Sequence, residues 1–537
     1  MSMSRRKWTF SGLFVAVLIA GGVGAVLSQN DRVATHPAAL LPQNSLLYVD
    51  WDGQAAHREG FEKTASYEAF YESGLMDVVN RVVRSLTESL PAEDAGRYSE
   101  VIKHVSEHGV TAGLTISTVS GPAVPYLTVV VHQGATIEPA FAEILKKASG
   151  PSVTFSTEEM RKRNVTSTVI PNSPGVEMGW WNEGEHLILT AGLGAINSSL
   201  DVVTGDAPNI TTSAIYQKYA ENKPVFERTA MFWLDFGLLR NTYGEFPVPM
   251  GQNQSVTVSK LLQALGLDTL GVIVSQAGYK DRANWSETFV EAPGPKRGLL
   301  ALAEQEPITL ADLPPIPFGT NGFSAASFDW GKAYDVIKAT IHDVAALESP
   351  ESVKEVDNAF SEIDRLIGFE LKSQLLDTLG NVVCVYGDTR QGFLGLGTGL
   401  AVEITDKRTL LNTARKIAQE AAFQSNGDII FRDSAKQGRE VFYIEPVEAF
   451  FSIAIGFDEK WMVLGLPQTV ESFFLRQDDK LTKWTPTPSY QEGLDLLPQK
   501  FTSITAVDPR KSYRAILGAT PFLLGGLNGF MRQQIPN

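Results

Sequence analysis

The chain has 537 residues, 43% of them hydrophobic and 20% charged, which is typical of folded globular proteins and excludes wholesale disorder. Its 46 basic and 61 acidic residues give a formal net charge of −15. A charge of this sign repels phosphate backbones, and no compensating stripe of lysine and arginine is present, so we expect no nucleic-acid partner.

Residues 1–30 are set apart from the rest of the chain. A basic flank at residues 5–7 precedes residues 8–28, which contain no charged side chain and are long enough as a helix to cross ~30 Å of hydrocarbon. A cleavable signal peptide usually has a shorter apolar region and a clear small-residue exit, so we favour an uncleaved transmembrane anchor over a signal peptide. The positive-inside rule then keeps the basic flank in the cytoplasm and places the chain from about Gln29 onward on the periplasmic, extracytoplasmic side.

The features of residues 40–291 recur in residues 320–537 in the same order and at nearly constant spacing. Each half opens with a β-run followed by an aspartate and a helix, and a second unit of this kind closes it. A fixed order of matched features predicts a tandem duplication. The matched pairs are Asp50 with Asp329, Gly109 with Gly380, Tyr216 with Tyr490 and Asp235 with Asp508.

The fold class follows from the order of elements within each half. β-runs and amphipathic helices, of which residues 73–90 are the clearest, alternate without strict β-α order. This order predicts an α+β fold of mostly antiparallel sheet covered by helices. The Pro-rich residues 292–319 are expected to join the halves as a surface linker without a regular element. The strand pair that follows Asp235 has no counterpart after Asp508, so the second half is either naturally shorter or the chain is a fragment; we favour the fragment.

Four aspartates stand where a β-run passes into a helix, namely Asp50, Asp235, Asp329 and Asp508. A carboxylate at this place accepts the unpaired N–H groups of the helix start and opposes the positive end of its dipole. Alternatively, carboxylates at strand ends converge on a metal or a sugar. Because they recur in units far apart in the chain, we predict helix caps. Asp50 and Asp52 are the one pair close enough to have a further role.

The segment HVSEH matches the inverted zinc-peptidase pattern, with His104 and His108 as ligands and Glu107 as the base that activates water. Two observations count against a metal. Gly109 follows at once, so His108 lies in the last helical turn, and leucines occupy the matching positions of the second half. No downstream glutamate stands out as a third ligand. We therefore predict no catalytic residue, metal or cofactor, and keep these three residues as weak candidates only.

Two further features have a structural and a functional interpretation. The pair Trp180–Trp181 would suit a sugar-binding surface, but tryptophans at this spacing are more often core or sheet-edge residues. Cys384, the only cysteine, lies in the apolar run NVVCVYG, which predicts a buried and unreactive thiol. An exported body without an internal disulfide fits a bacterial envelope better than a eukaryotic cell surface.

Three phrases, LLPQNSLLYVD, APGPKRGLLAL and TPTPSYQEGLDLLPQKFTSITAVDPRKSY, together with the amino-terminal span, resemble a family. They look like the uncharacterised envelope proteins of planctomycete-type bacteria that carry a duplicated domain of unknown function. The resemblance implies a single-pass protein in the cell membrane but brings no activity and no catalytic residues. We expect a non-catalytic binding or structural protein with an envelope polymer or protein as partner; the alternative is a membrane-anchored, metal-dependent hydrolase that uses HVSEH.

Overall fold

The computed structural model describes residues 36–508 except for short gaps at residues 79–80, 82–91, 118–122, 151–152, 171–172, 174, 222–223, 251–253, 389–396, 437 and 448–451. The predicted anchor, the tail after Asp508 and most of the predicted helix at residues 73–90 lie outside the described residues. Within the described part of the chain, no helix has the length and apolar character needed to cross a membrane.

The chain divides into two compact units. The first comprises the residues up to Glu245 together with Leu270–Pro293, and the second comprises Phe246–Thr269 and the residues from Gly294 onward. The segment Phe246–Thr269 therefore belongs to the second unit, although it precedes residues 292–319 in the chain.

The first unit contains a sheet of ten strands, and every strand pair in it is antiparallel. In space the order is β12-β11-β8-β1-β2-β3-β7-β6-β5-β4. The strands are β1 Ser45–Trp51, β2 Val110–Ser117, β3 Val124–Val131, β4 Ser156–Met160, β5 Arg163–Val169, β6 Val176–Glu183, β7 His186–Leu193, β8 Glu227–Asp235, β11 Val272–Lys280 and β12 Ala283–Val290.

The second unit contains an antiparallel sheet of eight strands and a small hairpin, β9 Pro247–Met250 with β10 Gln254–Thr257. The order of the larger sheet is β16-β17-β18-β19-β15-β14-β13-β20. Its strands are β13 Thr320–Ser327, β14 Leu379–Asp388, β15 Thr398–Ile404, β16 Ile429–Lys436, β17 Arg439–Pro446, β18 Ile453–Phe457, β19 Trp461–Gly465 and β20 Ser503–Val507.

The two large sheets have the same topology over eight strands. From β8 through β1, β2, β3, β7, β6 and β5 to β4, each strand has a counterpart at the same place in the series β20, β13, β14, β15, β19, β18, β17 and β16. The predicted α+β class with large antiparallel sheets is confirmed. In the described residues, only the first sheet continues beyond this common set, through β11 and β12.

Thirteen α-helices are described. Those of the first unit are α1 Arg58–Glu62, α2 Ala65–Glu72, α3 Ala92–His108, α4 Glu138–Ser149, α5 Ala195–Thr204 and α6 Phe236–Tyr243. Those of the second are α7 Val258–Ala264, α8 Trp330–Ala346, α9 Pro350–Ile367, α10 Leu371–Gln374, α11 Lys407–Gln424, α12 Pro467–Gln477 and α13 Pro488–Leu494.

The first sheet has a hydrophobic core on each face. Trp181 packs in one core with Tyr48 and Trp233, and Trp180 packs in the other. Adjacent residues of a strand point to opposite faces, which explains how one pair serves both cores. Each of the two side chains is only 1% exposed. The core interpretation of Trp180–Trp181 is therefore confirmed, and the sugar-binding interpretation is wrong.

The core of the second unit includes residues of the predicted linker. Ile308 and Ile316 are buried among the same residues as Phe323 and Cys384. Residues 292–319 also form two 3-10 helices, Gly298–Ala303 and Leu310–Asp312. The expectation of a surface segment without a regular element is wrong. Burial of the apolar side chains between the prolines removes them from water and stabilises the folded unit.

Candidate functional site

The predicted capping role holds for two of the four aspartates. Asp235 accepts a hydrogen bond from the Leu238 N–H at the start of α6, and Asp329 accepts one from the Lys332 N–H at the start of α8, each at 2.8 Å. Asp508 directly follows β20, and the residues after it lie outside the described part of the chain.

Asp50 is not a helix cap, and that prediction is wrong. It lies within β1, which ends at Trp51, and α1 begins only at Arg58. It pairs in register with Thr111 of β2 and Met231 of β8. Strand geometry places Asp50 on the same face as Tyr48, toward the core that contains Trp233. The carboxyl group is therefore directed into the protein interior.

A continuous hydrogen-bonded chain begins at this carboxyl group. The Thr111 hydroxyl oxygen lies 2.6 Å from Asp50 Oδ1 and 2.6 Å from His132 Nε2. On its other side, the His132 ring donates from Nδ1 to the His108 carbonyl at 3.0 Å. The Asp50–Thr111–His132 chain thus joins the ends of β1, β2 and β3 to the last residue of α3.

Burial sets the protonation of this chain. Asp50 and His132 are each 8% exposed, and Thr111 is fully buried. Burial, reinforced by the negative charge of Asp52, raises the pKa of Asp50 to about 7. Burial also lowers the pKa of His132 to about 4. Both shifts have the same physical cause, since a buried group avoids its charged form.

Gly109 brings α3 to this chain. Its φ of 90° lies in the region that favours glycine, and a Cβ there would meet the Trp51 carbonyl oxygen at 1.9 Å. The helix therefore ends at His108, as the sequence predicted, and β2 begins at Val110. This sharp turn points the His108 carbonyl at the His132 ring.

Three further histidines surround His132. His104 Nε2 lies 3.0 Å from the His132 carbonyl, and the His104 and His108 rings are 4.4 Å apart. The His186 ring, at the start of β7, is 6.1 Å from the His132 ring. Local sequence patterns do not link His132 with His186, because only the pairing of β3 with β7 brings them together.

The weak metal candidates have other partners. Since a carbonyl only accepts, His104 Nε2 must carry a hydrogen and is not free to bind zinc. The Glu107 carboxylate lies 3.8 Å from the Lys103 ammonium group. Across the described ranges, no three histidine, cysteine, aspartate or glutamate side chains are placed to hold a metal ion.

Asp52 takes part in a separate ionic contact at the surface. His57 Nε2 lies 3.3 Å from Asp52 Oδ2, and His57 Nδ1 lies 2.8 Å from Glu227 Oε1. Burial by itself would lower the pKa of His57, but the bonds to the two carboxylates raise it overall. The imidazolium links the residues after β1 to the start of β8. Asp50 and Asp52 therefore act in different places, one inside and one outside.

The second sheet shows that the fold does not require the buried chain. The last paired residues at the same end of β13 and β14 are Ser327 and Val382. Val382 has no hydroxyl group, and the buried Ser327 hydroxyl makes no hydrogen bond within the described part of the chain. A polar group that the topology does not need, and that costs free energy to bury, is a candidate for function.

The fold and site define an α+β protein with two large antiparallel sheets of matching strand order, the first of which buries a carboxyl–hydroxyl–imidazole chain. Comparison with known proteins adds no relative. No protein-family model matches the sequence, and neither the curated proteins nor the solved structures contain a match.

Proposed function

We propose that this chain is a membrane-anchored protein of the bacterial envelope whose extracytoplasmic body binds or organises an envelope component and catalyses no reaction. The anchor is residues 8–28, which carry no charge and follow a basic flank. The resemblance to planctomycete-type envelope proteins points to the same place. The matching order of eight strands in two sheets supports an origin by duplication of one unit.

One observation carries the non-catalytic assignment. The ionisable groups that the fold brings together, Asp50 and His132, are bonded to the buried Thr111 hydroxyl and not directed at an open cleft. A general acid or base has to reach the proton that it transfers on the substrate. Groups enclosed in this way serve the protein interior.

A two-unit body of this kind suits a binding role. Binding residues lie most often on loops that a rigid scaffold positions, and each large antiparallel sheet is such a scaffold. We infer that the partner is an envelope polymer or an envelope protein. The net charge of −15 makes an anionic lipid surface a poor partner for the body itself.

The assignment is tested with a fusion of alkaline phosphatase to the carboxyl end of the full chain, combined with carbonate extraction of the membranes. We expect an active phosphatase and a chain that stays in the membrane pellet. The variant Leu18→Arg disrupts the apolar segment and should release the chain from the membrane, whereas Gln29→Arg, just outside it, should not. An inactive fusion, or a wild-type chain that carbonate extracts, contradicts the proposal.

A further inference from the structure

Hydrogen positions in the Asp50–Thr111–His132 chain follow from its donors and acceptors. The His108 carbonyl only accepts, so His132 Nδ1 carries a hydrogen. Two contacts remain, from His132 Nε2 to Thr111 Oγ1 and from Thr111 Oγ1 to Asp50 Oδ1, and each needs a hydrogen between its two atoms. The Thr111 hydroxyl supplies only one. A further proton must therefore reside on Asp50 or on His132.

Burial decides between these two positions. With the proton on His132, the interior would hold an imidazolium and a carboxylate. With the proton on Asp50, the acid donates to Thr111, the Thr111 hydroxyl donates to His132 Nε2, and every group is neutral. Charges are costly in an interior, so Asp50 holds the proton. The raised pKa of Asp50 and the lowered pKa of His132 agree with this position.

Loss of this proton breaks one link of the chain. An ionised Asp50 takes the Thr111 hydrogen in a charge-assisted bond, which is the stronger of the two contacts. Lone pairs of Thr111 Oγ1 and His132 Nε2 then face each other at 2.6 Å, which is repulsive. The His132 ring has to move away from β2 to relieve this contact.

We propose that the Asp50–Thr111–His132 chain is a proton-dependent latch, which holds the carboxyl end of α3 against the first sheet while one shared proton is present. His132 is the connecting residue. Its ring donates to the His108 carbonyl, and its own carbonyl accepts from His104, so a displaced ring loosens the end of the helix. The helix end is secured at acidic pH and loosened at alkaline pH.

The neighbouring charged and titratable groups come from several elements. Asp52 raises the pKa of Asp50, and Arg228 of β8 opposes it. Around His132, Asp52 raises its pKa, whereas His186 of β7 and His36 lower it. The remaining titratable groups of this region are His104 and His108 of α3, Tyr48 of β1 and Tyr216. Because the negative charge of Asp52 raises the pKa of Asp50, it favours the protonated form of the latch, which holds the end of α3.

The test is amide hydrogen–deuterium exchange by mass spectrometry on the full chain in detergent, at about pH 5.5 and about pH 8.5, with exchange times scaled for the intrinsic rate. We expect peptides that cover residues 104–112 and 129–133 to lose about tenfold in protection at the higher pH, the effect of one buried hydrogen bond. Peptides of the second sheet that cover Val382 should keep their protection.

Four variants distinguish the latch from a general loosening of the fold. Asp50→Asn presents an amide N–H to Thr111, as the protonated acid does, and should keep full protection at both pH values. Thr111→Val should lose protection at both, and Thr111→Ser should behave as the wild type. Asp343→Asn makes the same substitution on an exposed turn of α8 and should also follow the wild type.

Two outcomes overturn the proposal. One is a wild-type chain whose protection is the same at both pH values. The other is an Asp50→Asn variant that loses protection with pH as the wild type does. If Thr111→Val fails to fold, the contrast between Asp50→Asn and Thr111→Ser still decides.

Discussion

The Asp50 carboxyl group and the His132 imidazole share a single hydroxyl group, since Thr111 Oγ1 lies 2.6 Å from each. Their pKa values move in opposite directions, to about 7 for Asp50 and to about 4 for His132. As pH rises from about 4 to 7, the contribution of Asp50 to the free energy of unfolding falls, because the unfolded chain gives up a proton that the folded chain retains. Over nearly the same range the contribution of His132 to the free energy of unfolding rises, so the two contributions largely cancel in the wild type.

The contact of His57 with two carboxylates predicts a stability effect that depends on pH. Glu227→Gln removes one partner of the imidazolium and should cost about 0.5 kcal/mol, a small value because the contact is partly exposed. The pKa of His57 is raised from 6.5, so its stabilisation is complete below that pH and disappears as pH rises through the folded pKa. Urea midpoints of first-unit peptides, read by pulsed hydrogen exchange at about pH 6 and pH 9, measure this. An equal cost at both pH values contradicts the account, and Glu158→Gln on exposed β4 is the control.

The cap of α8 predicts a local stability effect in the second unit. Asp329→Ala leaves the Lys332 N–H without its acceptor and should lower stability by about 1 kcal/mol. Asp329→Ser should restore most of the loss, because a hydroxyl oxygen also caps. Asp343→Ala, on the exposed side of the same helix, should change little. The urea dependence of Cys384 labelling reports the second unit alone, and equal losses for Asp329→Ala and Asp343→Ala would show that the cap contributes nothing.

Cys384 supplies its own prediction. The side chain is fully buried, and burial raises the pKa of its thiol to about 12. Since the thiolate is the reactive form, labelling of the native chain by Ellman's reagent at pH 8 should be at least about 100-fold slower than that of free cysteine. Unfolding in urea should restore the ordinary rate. Rapid labelling of the native chain would mean that β14 is open to solvent.

The geometry of HVSEH predicts that His104 does not contribute to metal binding. Its Nε2 hydrogen is donated to the His132 carbonyl, which leaves only Nδ1 for a metal, and no three possible ligands lie together in the described residues. Elemental analysis of the chain purified without chelators should show the same zinc content for the wild type, for His104→Gln and for His342→Gln, a histidine of α8 used as a control. One zinc ion per chain that is lost only in His104→Gln would restore the hydrolase interpretation.

Several features of the fold were readable from the sequence because they are local. The helix caps at Asp235 and Asp329, the buried thiol of Cys384 and the helix end before Gly109 each depend on a few neighbouring residues. The order of matched features along the chain also anticipated two similar sheets. The missing hairpin after Asp508 stays a prediction, since that part of the chain lies outside the described residues.

The site was not predictable in the same way, because it depends on strand register. Asp50, Thr111 and His132 are far apart in sequence and meet only through the pairing of β1 with β2 and the path of the chain after β3. The pattern at Asp50 misled for a specific reason: β1 continues to Trp51, and α1 begins only at Arg58. One signal was present, since an acidic residue in the apolar run SLLYVDW needs a buried partner.

The most direct test of the central claim, that Asp50 keeps a proton inside the first sheet, is the difference in urea midpoint between Asp50→Asn and the wild type as a function of pH. Asparagine imitates the protonated acid at every pH, whereas the contribution of Asp50 to the stability of the wild type falls as pH rises from about 4 to about 7. The contribution of His132 is common to both chains and cancels in the difference. The account predicts that the urea midpoint of Asp50→Asn rises relative to that of the wild type across this range and that the difference then levels off. A difference that is constant from pH 4 to pH 8, or that falls, would contradict it.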